Sequence, residues 1–180
     1  DDLVTGVQTC ALPIFFFFFI LQVLIAYETP PGSIVVDGIL DDEAWQEVSW
    51  IDGFVDIRGY DYPTQPWFDA RVKVRFDSTF IYFGVHFQET QVWAFMTEHD
   101  SFVYLDNCFE VFFDPSGGNH WYKEYQINAI NVDWDLEMSK PYLDNGTADS
   151  SWETLPLKKS AIYVDGPGIN PFLFLFLFSF

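Results

Sequence analysis

Alternating apolar and polar residues in the middle of the chain predict β-strands. Residues Ala70–Phe76 read ARVKVRF, which puts two valines and a phenylalanine on one side and three cations on the other. A two-residue period of this kind is typical of a strand with one buried face. Phe80–Phe87 reads FIYFGVHF, and its aromatic and β-branched residues predict a second strand. Because the turn signal Asp77-Ser78 separates the two strands, we expect an antiparallel hairpin.

The second half of the chain continues this pattern. Cys108–Phe113 (CFEVFF) ends at a cluster of turn residues, and Tyr122–Ala129 (YKEYQINA) alternates again, so we expect it to return antiparallel. Ala161–Val164 is a shorter candidate strand. The clearest helix signal is Asp41–Val48, which has acidic residues in its first turn. Short strands separated by turns predict an all-β antiparallel β-sandwich of immunoglobulin-like or jelly-roll type.

The two ends of the chain differ from this body. Residues 15–19 are consecutive phenylalanines, and residues 172–180 read FLFLFLFSF. The segment before the first tract resembles a sequencing-library adapter translated as protein. We therefore expect residues 1–27 to be a sequencing artefact followed by a signal-peptide remnant, and residues 172–180 to be a second artefact. The domain then spans residues 28–171. The first apolar run is shorter than the roughly 20 residues of a membrane span, so we expect no such span.

The charge of the chain limits the kinds of ligand that we expect it to bind. There are 27 acidic and 8 basic residues, giving a formal net charge of −19. A surface of this sign repels phosphate backbones, so we expect no nucleic-acid partner. Motifs for nucleophilic hydrolases, nucleotide binding, zinc proteases and paired cysteines are absent from the sequence. If residues 1–27 are set aside, Cys108 is the remaining cysteine, and we expect it to be an unpaired core residue.

Glu110 is the most informative carboxylate. It interrupts the apolar strand CFEVFF, where burial is costly unless the group is paired or lines a site. One hypothesis is glycoside hydrolysis, in which Asp100 or Asp106 would supply a second carboxylate about 5–9 Å away. The alternative, which we favour, is a ligand-binding or structurally paired carboxylate.

Aromatic residues make up 21% of the chain and suit a neutral carbohydrate. Sugar rings have apolar C–H faces that stack on tryptophan and tyrosine, while carboxylates and amides hydrogen-bond the hydroxyls. For each aromatic residue, core packing is the competing interpretation, and we assign Trp45 and Trp50 to the core. The candidate stacking residues are Trp67, Trp93, Tyr104, Trp121, Trp134 and Trp152.

Several motifs, in order along the chain, resemble those of family 9 carbohydrate-binding modules. Ile34–Trp45 resembles the opening I-x-V-D-G-x-L-D-E-x-x-W, and Asp106–Pro115 resembles the strand D-x-x-x-E-V-F-x-D-P. Tyr125–Ala129 resembles a strand that ends in E/Q-I-N. The similarity extends over residues 33–170, where later segments resemble a subgroup of secreted bacterial proteins. It implies a non-catalytic β-sandwich that binds a glycan, is often joined to a glycoside hydrolase, and in some members binds calcium.

The same resemblance implies individual site residues. Glu110 matches a carboxylate that hydrogen-bonds the sugar. Tyr104 falls where the family has one of two clamping tryptophans, and Gln126 falls where it has an arginine. We expect stacking on Tyr104, Trp93 or Trp134, with Glu110, Gln126 and Asn128 binding hydroxyls. The second clamping tryptophan of the family belongs to later strands, so we expect a sandwich incomplete at its C-terminus.

A third hypothesis, beside glycan binding and hydrolysis, is haem binding, because related sandwiches hold haem in some electron-transfer subunits. It needs an axial ligand pair. The candidates are Met96 or Met138 with His86, His99 or Lys140.

Overall fold

In the residues that it describes, the computed structural model contains strands, two short 3-10 helices and one short α-helix. The structure describes residues 25–154 except 57, 60, 64, 67 and 90, and the backbone of strands at 7–9, 163–164 and 170–179. The strands are β1 (Val7–Thr9), β2 (Tyr27–Glu28), β3 (Ala70–Phe76), β4 (Phe80–Glu89), β5 (Cys108–Phe113), β6 (Tyr122–Asn128), β7 (Asp133–Met138), β8 (Ala148–Asp149), β9 (Tyr163–Val164) and β10 (Asn170–Ser179). The helices are α1 (Glu43–Gln46) and the 3-10 turns Val103–Leu105 and Tyr142–Asp144.

The first sheet has the strand order β1-β5-β6-β7-β8 and is antiparallel throughout. The predicted strands Cys108–Phe113 and Tyr122–Ala129 are confirmed, the second ending one residue early at Asn128. The sequence pattern did not predict β7, which reads DWDLEM. The acidic residues of β7 gave the segment a polar appearance in the sequence. They alternate along the strand and lie on a face that is buried by other parts of the same unit.

The second sheet has the order β2-β3-β4-β10-β9, in which only the β2–β3 pair is parallel. The predicted hairpin of β3 and β4 is confirmed. Asp77 closes its turn, because Oδ1 accepts hydrogen bonds from the main-chain N–H groups of Thr79 (2.7 Å) and Phe80 (2.8 Å). Side-chain acceptors of this kind satisfy backbone donors that a tight turn leaves unpaired.

The prediction of a half-exposed β3 is wrong, because two of its three cations are buried. Lys73 donates to the main-chain oxygen of Trp45, and Arg75 donates to the main-chain oxygens of Ala44 (3.1 Å) and Glu28 (2.9 Å). The last carbonyl groups of a helix have no partner within the helix. The cations of β3 therefore pair with the end of α1 instead of with water.

Trp45 holds α1 in the core of this unit. It is fully buried and packs with Ile34, Ala44, Val48 and Tyr82, as expected for a core residue. The helix occupies only four residues of the predicted range Asp41–Val48.

The phenylalanine-rich tract at the C-terminal end forms β10. Its residues pair antiparallel with β4 from Asn170, opposite Glu89, to Ser179, opposite Phe80. We expected residues 172–180 to lie outside the domain, and the structure gives most of them a continuous strand register. In the predicted strand Ala161–Val164, the last two residues form β9 and the first two lie outside the described residues.

Two further expectations concern Cys108 and the membrane. Cys108 is buried, as predicted, but it is disulfide-bonded, so the prediction of an unpaired cysteine is wrong. None of the helices in the described ranges is long and apolar enough to cross a membrane.

Candidate functional site

Three aromatic side chains, two exposed and one half-buried, form a cluster in the unit that contains the first sheet. The 3-10 turn Val103–Leu105 buries Val103 and leaves its neighbours Phe102 and Tyr104 55% and 40% exposed. Trp134 of β7 completes the cluster. Its ring centroid lies 5.6 Å from that of Tyr104 and 5.5 Å from that of Phe102. Rings at these separations and tilted angles pack favourably and present their remaining faces to solvent.

A buried polar network lies on β5 and β6 of the same sheet. Nε2 of Gln126 donates to Oε1 of Glu110 (2.7 Å) and to Oε1 of Glu124 (2.6 Å). The hydroxyl of Tyr142 donates to Oε2 of Glu124 (2.6 Å). Glu110 is only 5% exposed, so this strand glutamate is paired rather than solvated. Pairing is what the burial of a carboxyl group requires.

Electrostatics favours the neutral form of Glu110. Burial raises its pKa well above the usual range, and the adjacent Glu124 raises it further, while the hydrogen bond from Gln126 acts in the opposite direction. Two carboxyl groups that share one neutral donor do not both ionise readily. Burial and the neighbouring carboxyl group thus both favour the protonated form of Glu110, and a protonated carboxyl group donates as well as accepts.

The strand register joins the aromatic cluster to the polar network. Glu110 lies directly opposite Gln126, and Gln126 lies directly opposite Trp134. Directly opposed residues of antiparallel strands point to the same side of the sheet. Tyr104, Trp134, Gln126 and Glu110 therefore form one continuous row, which we call the aromatic–carboxyl row.

Asn128 has a structural role in the turn after β6. Its Nδ2 donates to the main-chain oxygen of Met96 (2.8 Å) and to Oδ2 of Asp106 (2.9 Å). Its Oδ1 accepts from the N–H groups of Ile130 (3.1 Å) and Val132 (2.9 Å). Two donors and two acceptor positions are all that an amide offers. The sequence placed Asn128 in the site, but its hydrogen bonds hold the β6–β7 turn.

Trp93 belongs to a separate exposed pair with Phe95, at a ring separation of 5.1 Å. Its main-chain N–H donates to Oδ1 of Asn107 (2.9 Å). The other predicted stacking residues are also outside the row: Trp121 is exposed, and Trp152 lies under the ammonium of Lys123 at 5.1 Å. Trp67 lies outside the described residues.

The structure adds three residues that sequence reasoning missed. Glu124 precedes Gln126 by two positions on β6, so the alternation of a strand places both on one face. Phe102 precedes Tyr104 at a 3-10 turn, where strand alternation does not apply. Tyr142 comes from a distant turn, and nothing in the local sequence connects it to Glu124.

Asp100 and Asp106, which we expected as the second carboxylate for hydrolysis, contact other groups in the structure. Asp106 accepts hydrogen bonds from the N–H groups of Phe95 and Met96 (both 2.9 Å), and Asp100 lies beside His99. Glu124 is the neighbour of Glu110 instead. Their Oε1 atoms accept from one nitrogen at 2.7 and 2.6 Å, so they lie no further apart than the sum of these bonds.

The haem hypothesis fails for one of its ligand pairs. Met138 is fully buried at one end of β7, opposite Tyr122. His99 contacts Asp133 at the other end of that strand. Five strand residues span about 17 Å, so Met138 and His99 cannot act as axial ligands of one haem.

The calcium that the resemblance implies does not match the metal-type cluster of this unit. His99, Asp100, Asp135 and Glu153 lie together, each offering one ligand atom. Calcium takes about six to eight oxygen ligands. The cluster includes an imidazole nitrogen, whereas calcium prefers oxygen ligands alone.

Comparisons with known proteins support the fold. No protein-family model matches the chain, and no curated protein matches it. Two solved structures of a family 9 carbohydrate-binding module from Caldicellulosiruptor kristjanssonii are similar, one in complex with cellotriose and one with glucose. The TM-scores are 0.54 and 0.56, at 15% sequence identity in both cases. The likeness covers 86% and 88% of this chain and 66% and 68% of those chains. The chain thus has the all-β sandwich fold of these modules and spans about two thirds of their length.

Proposed function

We propose that this chain is a non-catalytic carbohydrate-binding module. The aromatic–carboxyl row carries the proposal, because it sets the exposed faces of Tyr104 and Trp134 beside Gln126 and Glu110 on one side of a sheet. Tyrosine and tryptophan present broad apolar faces with a polar edge. That combination fits a sugar ring, which is apolar on its C–H face and polar at its hydroxyl edge.

The charge state of the row also suits a neutral ligand. Burial and Glu124 raise the pKa of Glu110, which favours its neutral form, so the carboxyl pair carries less negative charge and keeps oxygen atoms that can accept hydrogen bonds. A sugar hydroxyl both donates and accepts and can match such a partner. The strongly acidic chain, with its net charge of −19, disfavours phosphorylated ligands.

The solved structures with a similar fold indicate which ligands to test first. The similar solved structures hold cellotriose and glucose. We therefore propose a neutral glucan oligosaccharide as ligand, and a wider setting in a secreted or cell-surface bacterial protein with an attached glycoside hydrolase. The wider setting rests on the motif resemblance alone. Following the reading frame of residues 28–171 in both directions in the source genome would reveal a hydrolase domain or its absence.

Calorimetric titration of the full chain with glucose, cellotriose and a panel of xylo- and manno-oligosaccharides tests the binding proposal. We expect saturable binding of at least one oligosaccharide, weakened at least tenfold in Tyr104→Ala, Trp134→Ala and Glu110→Ala. Trp152→Ala is the matched control and should bind as the unaltered chain does.

Two results would contradict the assignment. If circular dichroism shows that the chain is folded and no glycan binds to it, the proposal is wrong. Binding lost in Trp93→Ala but retained in Tyr104→Ala would move the site to the Trp93–Phe95 pair.

A further inference from the structure

One imidazole and three carboxylates from separate segments surround a common point in the unit of the first sheet. One ligand-type atom from each of His99, Asp100, Asp135 and Glu153 lies within 4.8 Å of all the others. The first two residues precede β5, Asp135 is in β7, and Glu153 follows β8. We propose that these four side chains bind a divalent d-block cation of the zinc type at a structural site.

The distances fit one small cation. Nε2 of His99 lies 3.0 Å from Oε2 of Glu153, 3.6 Å from Oδ1 of Asp100 and 3.9 Å from Oδ1 of Asp135. Ligands of a tetrahedral zinc at about 2.1 Å lie about 3.4 Å from one another. The three observed separations bracket this value, so small side-chain adjustments close the site around an ion.

Two buried oxygens of the cluster point independently to a missing partner. The Asp135 side chain is 0% exposed, and its Oδ1 accepts no hydrogen bond from any described residue, although Oδ2 accepts from the N–H of Thr154. Oδ1 of Asp100 is likewise buried without a donor. A buried carboxylate oxygen without a partner is costly, and a cation supplies the interaction that it lacks.

The far side of the imidazole is arranged as it is for metal-binding histidines. Nδ1 of His99 lies 3.2 Å from both the main-chain oxygen and Oδ1 of Asp133. Both are acceptors, so Nδ1 carries a hydrogen; Nε2 faces Oε2 of Glu153 at 3.0 Å, and a cation in the cluster would take the place of the hydrogen between these two atoms. Metal-bound histidines almost always donate their other ring N–H to a carboxylate or a carbonyl group in this way.

The donor set selects the class of metal. Imidazole nitrogen with carboxylate oxygens suits zinc and its neighbours, whereas calcium and magnesium prefer oxygen alone. Four protein ligands make a closed site, which is typical of a structural ion. The ion would join the loop before β5 and the segment after β8 to the middle of β7.

The test is titration of the chelator-treated full chain with Zn²⁺, followed by calorimetry. We expect one ion per chain, and binding at least tenfold weaker in His99→Gln and in Glu153→Gln. His120→Gln is the matched control, because His120 is exposed and bonded only within its own turn, to the oxygen of Gly118. Glu153 is at the surface, so its variant should fold even if His99→Gln does not. Co²⁺ in place of Zn²⁺ should give the visible absorption bands of a four-coordinate site.

Three results would overturn the proposal. Equal Zn²⁺ affinity in His99→Gln, or an equal loss in His120→Gln, would mean that the ion binds elsewhere. Displacement of Zn²⁺ by an equal concentration of Ca²⁺ would identify an oxygen site instead. No saturable binding to a folded chain would show that His99 is a protonated ion-pair partner of these carboxylates. None of these measurements depends on glycan binding.

Discussion

The side-chain amide of Gln126 donates a 2.7 Å hydrogen bond to Oε1 of Glu110. The same nitrogen also donates to Glu124, so one neutral group serves two buried carboxyl groups. An arginine, which the motif resemblance implies for the related modules at this position, would bring a positive charge that favours ionised carboxyl groups. A glutamine brings none, and Glu110 keeps its proton. This difference links the stability of the sheet, its pH dependence and the proposed glycan site.

Removal of the shared donor should destabilise the first sheet. Gln126→Ala leaves the buried oxygens of Glu110 and Glu124 without the amide, and we expect a loss of about 1–3 kcal/mol in the free energy of unfolding. Urea unfolding at pH 7 measures it. Gln91→Ala, at an exposed position, should change stability by no more than about 0.5 kcal/mol. Equal effects of the two variants would show that the network does not stabilise the fold.

The raised pKa of Glu110 predicts that its contribution to stability falls as the pH rises. The folded chain keeps this proton above the pH at which the unfolded chain loses it, so deprotonation opposes folding from about pH 4.5 upward. The groups that face it are Glu124, Gln126, Tyr122 and Tyr142.

Glu110→Gln should remove this share of the pH dependence. Urea unfolding between pH 5 and pH 8 should show the variant gaining stability relative to the unaltered chain as the pH rises. Glu98→Gln, at an exposed position, is the control for loss of one negative charge. A stability difference that stays constant with pH, or one that shrinks as the pH rises, would contradict the raised pKa.

Gly146 is required by the turn that positions Tyr142. A Cβ atom at this position would lie 1.9 Å from the main-chain oxygen of Lys140, which a rigid backbone cannot accommodate. Gly146→Ala should therefore cost at least about 1–3 kcal/mol of stability. Gly118→Ala is the matched control, since its nearest neighbour is the movable hydroxyl of Ser116. Thermal unfolding of both variants measures the difference, and equal melting temperatures would disprove the requirement.

The proposed metal and glycan sites share two segments and should be coupled. Asp135 follows Trp134 directly in β7, and the His99–Asp100 pair leads into the turn that carries Tyr104. Chelation of the metal should loosen both segments and weaken glycan binding by about fivefold or more. Calorimetry of glycan binding with and without Zn²⁺ measures the factor, and linkage requires the glycan to strengthen Zn²⁺ binding equally. Identical glycan affinities in a chain shown to bind Zn²⁺ would mean that the sites are independent.

The sequence by itself determined the strands whose apolar period is clean. Ala70–Phe76 and Cys108–Phe113 begin and end where predicted, the first from its alternating residues and the second from an apolar run that stops at a cluster of turn residues. Glu110 was recognisable for the same reason, since a carboxylate within an apolar run needs a partner. The pattern did not predict the strand Asp133–Met138, because the face that its acidic residues occupy is buried only through contacts with distant segments.

Tertiary structure alone decided which partners those residues acquired. The pattern placed Lys73 and Arg75 on a solvent face, and the end of α1 buries them. The pattern suggested Asp100 and Asp106 as neighbours of Glu110. In the structure its neighbour is Glu124, because the strand register places Gln126 opposite Glu110 and Gln126 also donates a hydrogen bond to Glu124. A strand's period fixes which side of the sheet a residue faces. What covers that side depends on strand register and on segments distant in sequence, which no local pattern encodes.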